Sequence, residues 1–370
     1  MKKDYYPLFI SRYLPQEANA RKDLIERLST YGKFINEYSQ GECRGLKVLT
    51  SSSPISQQKG IKGISFIKFI AAPPSLIRYV LFLKHYININ EKTISVLVSS
   101  DPWVNLAIIK IANLPKDLKV QVSLHGEPYL RVNYLGNYRN LIKHFWLKII
   151  LKRIDSIRVV SQNQISEISR AYSVHPSKIF VAPIPVKVPN KIEFRNDSKT
   201  IVFLGRMHPE RGIKMWVEMV LKLYEIRQDF DLLIIGDGVD RDFFQKSLDN
   251  SGVNIKYMFA GWVEQKFIAK YLKKAKVLLN TAQTESFGLA MREAQINGIP
   301  IVSFRTTGAT ANFKLFNRGI FIFDELESGL RYLSDCLDNS TAIIDIKKVR
   351  KSQELQNDES LLAIAKSWVK

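Results

Sequence analysis

The sequence predicts an α/β protein of two doubly wound domains, in which parallel β-sheets are covered by helices on both faces. Its 370 residues exceed the roughly 250–300 residues at which one hydrophobic core stops growing, so two domains are expected. Short apolar runs rich in β-branched residues alternate with segments of helical spacing, as strands and helices of parallel sheets do. The proline-rich stretch 183–189 has the composition of a linker between the two halves.

Strands and helices alternate along the first half, although less regularly than along the second. Apolar runs bounded by turn residues predict strands, and apolar residues spaced three and four apart predict helices. The predicted strands are 7–11, 46–50, 93–98, 119–124, 156–160 and 178–182. The predicted helices are 18–34, 75–87, 105–112, 135–154 and 162–172.

The second half shows the same alternation more clearly. Helical spacing between its strands is seen, for example, from Met215 to Leu223. We therefore expect a Rossmann-like domain over 1–190, a second one over 191–354, and a C-terminal helix over 355–370 that packs back on the first domain. The predicted strands of this half are 200–204, 231–235, 256–260, 276–280, 300–304 and 319–323.

Composition excludes several classes of protein. With 46% hydrophobic and 11% aromatic residues, the chain is not disordered as a whole. Cys43 and Cys336 alone cannot form a disulfide framework or a cysteine-based zinc site, which favours a reducing compartment. No apolar run reaches the roughly 18 residues of a membrane-spanning helix, and the first residues do not resemble a secretory signal. We expect a cytoplasmic protein, free or peripheral on the cytosolic face of a membrane.

The net charge of +20 is unevenly distributed. Residues 1–190 contain 28 Lys and Arg against 12 Asp and Glu, a net charge of +16, whereas residues 191–370 have a net charge of only +4. A surface that meets anionic lipid, nucleic acid or a phosphorylated substrate would produce this asymmetry.

The strongest local signal is the stretch 284–294, which follows a predicted strand and leads into a helix. Gly288 lies where that helix begins, and free backbone N–H groups at a helix N-terminus attract phosphate. Glu285 in the loop could accept from sugar hydroxyls, and Glu293 in the helix could reach ribose hydroxyls. The alternative is that Glu285 is an ordinary acidic residue at a helix start and Glu293 a solvated helical side chain.

Two further loops follow strands of the second half. Arg206 and Arg211 could clamp a diphosphate through bidentate bonds, although taken alone such arginines are more often surface charges. Gly236 and Gly238 form half of a dinucleotide-binding pattern, which indicates no more than a backbone turn near a nucleotide base.

His125 follows the predicted strand 119–124, which places an imidazole at the carboxyl end of a parallel strand. A lone histidine is more often a packing or hydrogen-bonding residue, and no histidine of the chain has metal-ligand spacing. Asp240 and Asp242 have the spacing of a metal-binding motif, but acidic residues are also favoured at helix starts. We therefore expect no metal site.

Residues 143–153 place lysine and arginine beside Phe145, Trp146, Ile149 and Ile150. A basic amphipathic helix of this kind can lie on anionic lipid. The alternative is a buried helix whose lysine stems reach the solvent. The positive charge of the first half favours the membrane.

Taken in order, these motifs resemble the family 4, or group 1, retaining nucleotide-sugar glycosyltransferases, which have the two-domain GT-B fold. The resemblance is specific over about 195–323 and diffuse over the first half, where His125 and Gly126 fall at a similar element. The motifs that carry it are Gly205-Arg206, Arg211-Gly212, Gly236 to Gly238, Ala260 to Trp262, Glu285 to Ala294, and Gly298 with Pro300.

The resemblance implies an active site in the cleft between the domains. There the diphosphate would leave, and the acceptor would attack the same face of the sugar with the donor phosphate taking its proton, so that configuration is retained without a metal. The implied donor-binding residues are Arg206, Arg211, Gly238, Glu285, Phe287, Gly288, Leu289 and Glu293. The implied catalytic residues are His125, Glu285, Arg206 and Arg211.

Three positions depart from the family's pattern. Arg211 stands where lysine is usual, which keeps the charge but changes its geometry. Asn19 and Ala20 replace the paired glycines that often let backbone approach the donor phosphate, and the stretch 307–312 lacks the expected glutamate. The spacing between Glu285 and Glu293 is intact, which favours an active enzyme.

We therefore expect a metal-independent, retaining hexosyltransferase with no cofactor other than a UDP- or GDP-linked sugar as co-substrate. The expected acceptor is a glycan or a polyprenyl-diphosphate-linked glycan of surface-polysaccharide synthesis, such as O-antigen, lipopolysaccharide, capsule or exopolysaccharide. The basic first domain would meet an anionic membrane surface. No nucleic-acid-binding motif accompanies the charge, so nucleic acid is not expected as a partner. The alternative is an inactive glycosyltransferase-like subunit that binds a partner or glycan without turnover.

Overall fold

A computed structural model describes residues 5–14, 18–51, 66–99, 101–130, 138–189, 198–316, 319–338 and 344–369. The chain divides into two units. The first unit is Met1–Pro183 together with Asp358–Lys370, and the second is Ile184–Asn357. The boundary expected between residues 190 and 191 lies outside the described residues.

The first unit contains a fully parallel sheet whose strand order is β3-β2-β1-β4-β5-β6-β7. β3 is not among the predicted strands, because this edge strand pairs only with β2 and is interrupted by an exposed Lys68. Its strands are β1 Tyr6–Ile10, β2 Leu46–Thr50, β3 Ile67–Ala71, β4 Ile94–Ser99, β5 Val120–Leu124, β6 Ser156–Val159 and β7 Ile179–Val181.

Helices cover both faces of this sheet. They are α1 Ala18–Tyr38, α2 Leu76–Asn90, α3 Val104–Ile111, α4 Tyr138–Ile150 and α5 Asn163–Tyr172. Leu83, Leu106 and Leu147 join one buried core from α2, α3 and α4. On the other face, Tyr31 of α1 packs edge-on against Trp368, with ring centroids 5.9 Å apart, so the end of the C-terminal helix packs on the first unit.

The second unit repeats this architecture with a fully parallel sheet of order β10-β9-β8-β11-β12-β13. The prediction of two doubly wound sheets is confirmed. The strands are β8 Thr200–Leu204, β9 Asp231–Ile235, β10 Tyr257–Gly261, β11 Val277–Asn280, β12 Ile301–Phe304 and β13 Ile320–Phe323. The helices are α6 Ile213–Ile226, α7 Arg241–Asp249, α8 Gln265–Leu272, α9 Leu289–Ile296, α10 Thr307–Phe316, α11 Leu326–Leu337 and α12 Ile346–Trp368.

The structure also shows where the residues that replace the paired glycines lie, and where the two cysteines lie. Asn19 and Ala20 lie in the first turn of α1, while residues 15–17 of the preceding loop lie outside the described residues. Cys43 and Cys336 are both buried, and neither forms a disulfide in the described part of the chain. Within the described ranges, every helix is too short or too polar to cross a bilayer.

Candidate active site

The candidate site lies where the strand order of the second sheet reverses. β8 and β11 are parallel neighbours, so the loops 205–212 and 281–288 leave the same edge of the sheet side by side. Thr281 Oγ1 donates a hydrogen bond to the carbonyl of Gly212 over 2.9 Å. Gly212 has a φ of +66°, and a Cβ there would lie 2.0 Å from the Thr281 carbonyl oxygen, so this approach requires glycine.

Arg211 and Glu285 meet across these two loops. Nη1 of Arg211 forms an ion pair with Oε2 of Glu285, and the side chains are only 25% and 13% exposed. Nε of Arg211 is buried and has no hydrogen-bond partner in the described part of the chain. An unpaired buried donor is costly, whereas an anionic oxygen beside it would accept a charge-assisted bond. The pair combines a carboxylate that can accept from hydroxyls with a guanidinium that can hold an anion.

Arg206 does not take part in this pair. Its side chain is 71% exposed, and Nη2 donates to Oε1 of Glu210 over 2.9 Å on the surface of the same loop. Of the two arginines predicted to clamp a diphosphate, only Arg211 contacts Glu285. Arg206 thus lies on the surface, as the alternative of an ordinary surface charge predicts. Arg211 is mostly buried and does not fit that alternative.

The loop before α9 is braced by α10. Gly288 caps α9 with a φ of +75°. The side-chain amide of Asn312 donates to the carbonyl of Phe287 over 2.9 Å, and the N–H of Gly308 donates to the carbonyl of Glu285 over 2.5 Å. These contacts fix the backbone whose amides were predicted to bind sugar and phosphate. The stretch 307–312, which departs from the family pattern, thus supplies the brace.

Glu293 is buried on α9 and does not fit the alternative of a solvated helical glutamate. Its residue is 7% exposed, and Nε2 of Gln265 donates to Oε1 of Glu293 over 3.1 Å. Glu293 lines a pocket of about 130 Å³ together with Gln265, Lys266, Asn297 and Lys187. Gln265 is not among the predicted site residues, since it approaches from a different helix, α8.

Gly236 and Gly238 allow the loop after β9 to pack on the loop after β8. A Cβ on Gly236 would lie 1.8 Å from the carbonyl oxygen of Gly205, and one on Gly238 would lie 2.3 Å from that of Met207. The N–H of Met207 donates in return to the carbonyl of Asp237 over 2.8 Å. The glycines have a packing role in the structure, and the approach of Gly238 to a nucleotide base stays a prediction.

His125 lies in the first unit, directly after β5. Gln164 holds the adjoining backbone, since its Nε2 donates to the carbonyl of Gly126 over 3.0 Å. Although part of the side chain is exposed, surrounding protein displaces water from the ring and lowers the pKa of His125 to about 3, with Arg158 and Arg27 adding to the effect. The imidazole is therefore neutral at pH 7.

Asp240 directly precedes α7 and Asp242 lies in its first turn, as expected of acidic residues at a helix start. No group of three or more His, Cys, Asp or Glu side chains among the described residues could hold a metal ion. Metal independence stays a prediction, as do the roles of the predicted site residues.

Residues 187–342 match the family model described as Glycosyl transferases group 1. This range lies within the second unit and includes Arg211, Glu285 and Glu293. Over this range the second unit is similar to the group 1 glycosyltransferases. The predicted family is thereby confirmed for the part of the chain where the motifs were specific.

The names of curated relatives of this domain describe activities on different molecules. A 2-deoxystreptamine N-acetyl-D-glucosaminyltransferase of Niallia circulans is 30% identical over 110 residues, which are 30% of this chain and 28% of the relative. The lipopolysaccharide core biosynthesis glycosyltransferase LpsE of Rhizobium meliloti is 28% identical over 118 residues, 32% of this chain and 33% of the relative. The chain spans less than half the length of the curated relatives it matches.

The fold of the whole chain is that of known glycosyltransferases. The solved structure of a sucrose-phosphate synthase from Thermosynechococcus elongatus superimposes with a TM-score of 0.78. The alignment covers 98% of each chain at 14% sequence identity, so it shows the fold and not the substrate. The prediction of a GT-B fold is confirmed.

Proposed function

We propose that the chain transfers a hexosyl unit from a nucleoside-diphosphate sugar to a glycan or lipid-linked glycan, with retention of configuration and without a metal ion or other cofactor. The observation that carries this proposal is the Arg211–Glu285 pair at the reversal of strand order, in which Nε of Arg211 has no partner among the residues that the structure describes. The relative named for lipopolysaccharide core synthesis supports a surface-polysaccharide acceptor.

In the proposed reaction the bond between the anomeric carbon and the diphosphate oxygen breaks, and a bond to the acceptor oxygen forms on the same face. The departing phosphate oxygen takes the proton of the acceptor hydroxyl. Arg211 and the amides at 287–289 stabilise the negative charge that develops on the diphosphate. Glu285 accepts from donor-sugar hydroxyls, and Glu293 accepts from ribose hydroxyls.

Nucleotide binding tests the proposed donor site. We expect one of UDP, GDP and ADP to bind the full chain in EDTA and to stabilise it by about 2.7 kcal/mol at 100 times its dissociation constant. Glu293→Ala should weaken this binding at least tenfold, because ribose hydroxyls lose a buried acceptor. Calorimetry and thermal shift give both values. Glu218→Ala on α6 is the control, since Glu218 is an exposed glutamate paired with Lys222.

The outcomes separate the two candidate activities. Binding that is lost in the Glu293 variant and kept in the Glu218 variant supports the transferase. If no nucleotide binds the wild type at millimolar concentration, the transferase proposal is wrong and the inactive glycosyltransferase-like subunit replaces it.

The first unit has a surface suited to an anionic membrane, which we include in the proposal. Tyr138, Ile142, Phe145 and Ile149 follow the spacing i, i+4, i+7 and i+11 along α4, and each is more than half exposed. The other side of α4 packs into the core through Leu147. The helix therefore has a second apolar stripe that no described residue of the protein covers.

The charges of α4 fit an anionic partner. Residues 138–150 contain no Asp or Glu, and Lys143 and Lys148 are exposed. Lysines beside an exposed apolar stripe can bind anionic headgroups while the apolar side chains enter the interface. Two of the apolar residues predicted beside the basic side chains do not belong to this stripe, because Ile150 is buried in the core and Trp146 packs against it.

Vesicle binding checks this surface. Lys143→Gln/Lys148→Gln should weaken binding to vesicles containing anionic phospholipid by about 30-fold, since each basic residue near such a surface contributes ~1 kcal/mol. Phe145→Ser/Ile149→Ser should also weaken it. Ile226→Ser removes an equally exposed apolar side chain from the second unit and is the control. Sedimentation measures binding, and equal binding of all variants would contradict the proposal.

A further inference from the structure

Arg292 is a buried cation without a carboxylate partner. It is 2% exposed on α9, and no Asp or Glu of the described chain pairs with it. Nη1 donates to Oε1 of Gln353 over 3.2 Å and to Oε1 of Gln356, while Nε is buried and has no hydrogen-bond partner among the described residues. Burial lowers its pKa to about 9, which still leaves the guanidinium charged at pH 7. Buried charges are normally paired, so an unneutralised one calls for an explanation.

The guanidinium packs against Phe287, which lies in the loop that ends at Gly288. Its central carbon is 4.1 Å from the ring centroid of Phe287 and 5.8 Å from that of Phe316. Phe287 is buried, and its carbonyl is held by Asn312. Phe287 is therefore held at both its ring, by the cation, and its backbone carbonyl, by Asn312.

This placement gives Arg292 two effects on the same backbone. The stacked guanidinium holds Phe287, and so the amides of the next residues, in one orientation. Its charge also adds a positive potential that water does not screen, because the group is buried. An anion bound at these amides would be the missing counter-charge.

We propose that Arg292 is a positioning residue of the donor site, which orients the 287–289 amides through Phe287 and attracts the donor's diphosphate from behind the loop. This inference depends on the proposed function, because it requires a nucleoside diphosphate at those amides. Gln353 and Gln356 of α12 orient the guanidinium by accepting its hydrogen bonds. Arg292 does not touch the ligand.

The test compares ligands that share a nucleoside and differ in the number of phosphate groups, and so in negative charge. Nucleoside, nucleoside monophosphate and nucleoside diphosphate of uracil and of guanine are titrated into the full chain by calorimetry. Arg292→Met should weaken binding of the diphosphate about tenfold, the monophosphate less, and the uncharged nucleoside by less than about twofold. Arg292→Lys retains the charge and should stay within about threefold of the wild type for the diphosphate.

Arg350→Met is the matched control. Arg350 also links α12 to α9, through a 3.1 Å bond from Nε to the carbonyl of Ile296, but it does not contact Phe287. This variant should bind all ligands as the wild type does. A merely structural role of Arg292 would instead weaken nucleoside and diphosphate equally, or would be reproduced by Arg350→Met, and either result overturns the inference.

The two proposals fail in different ways. If no nucleotide binds the wild type, the proposed function is wrong and Arg292 has no donor to act on. If the wild type binds the diphosphate and Arg292→Met binds it equally well, only the inference about Arg292 is wrong. Should Arg292→Met not fold, Arg292→Gln supplies the uncharged side chain for the same comparison with Arg292→Lys.

Discussion

Replacing Arg211 by alanine is expected to lower kcat about 100- to 1000-fold, the effect of removing one charge-stabilising donor from an active site. Arg211 is the one predicted diphosphate ligand that the structure places against Glu285, and it has a buried donor left over for an anion. Release of UDP or GDP from the nucleotide sugar measures the rate whichever acceptor is used. Nucleotide affinity should fall less than kcat, because charge on the diphosphate grows as it leaves.

Two other variants of the same loop provide comparisons for the loss of kcat in Arg211→Ala. Arg206→Ala removes an exposed arginine that pairs with Glu210, and we expect a loss below about fivefold, as for other exposed ion pairs. Arg211→Lys keeps the charge but loses the planar group, and an intermediate loss of about tenfold is expected. If Arg206→Ala were as damaging as Arg211→Ala, the structural distinction between the two arginines would be wrong.

The sequence predicted the elements of both sheets well because buried parallel strands require continuous apolar runs. In β9, Leu232 to Ile235 are all buried, and such a run admits few other interpretations. β3 escaped prediction because it pairs on one side only and its side chains are half-exposed or exposed. An edge strand needs fewer apolar residues, so its signal is weak.

The site was only partly predictable, because contacts between elements that are distant in sequence determine which side chains meet there. Arg206 and Arg211 are equivalent as sequence, but the turn Pro209–Arg211 and the left-handed Gly212 bring only Arg211 against the neighbouring loop. The same holds for Asn312, whose amide reaches the carbonyl of Phe287 from another helix. No local motif identifies such a side chain.

The second large effect concerns Gly236. Gly236→Ala is expected to destabilise the second unit by about 3–5 kcal/mol, the sum of a strained backbone and an overpacked contact. Gly236 has a φ of +139°, and its new Cβ would lie 1.8 Å from the Gly205 carbonyl oxygen. Backbone cannot yield as a flexible side chain does, so the loops after β8 and β9 would have to separate. Hydrogen exchange of the β8 and β9 amides reports this loss for the second unit alone.

Gly252→Ala separates the two causes of this destabilisation. Gly252 has a φ of +74°, but a Cβ there would meet no atom within 4 Å. Its substitution therefore adds backbone strain alone, about 1–2 kcal/mol. The difference between the two variants measures the steric conflict between the loops. Since the loop after β8 also contains Arg211, Gly236→Ala should weaken nucleotide binding as well, whereas Gly252→Ala should not. Equal effects of both variants on nucleotide binding would mean that the close packing of the loops after β8 and β9 does not shape the donor site.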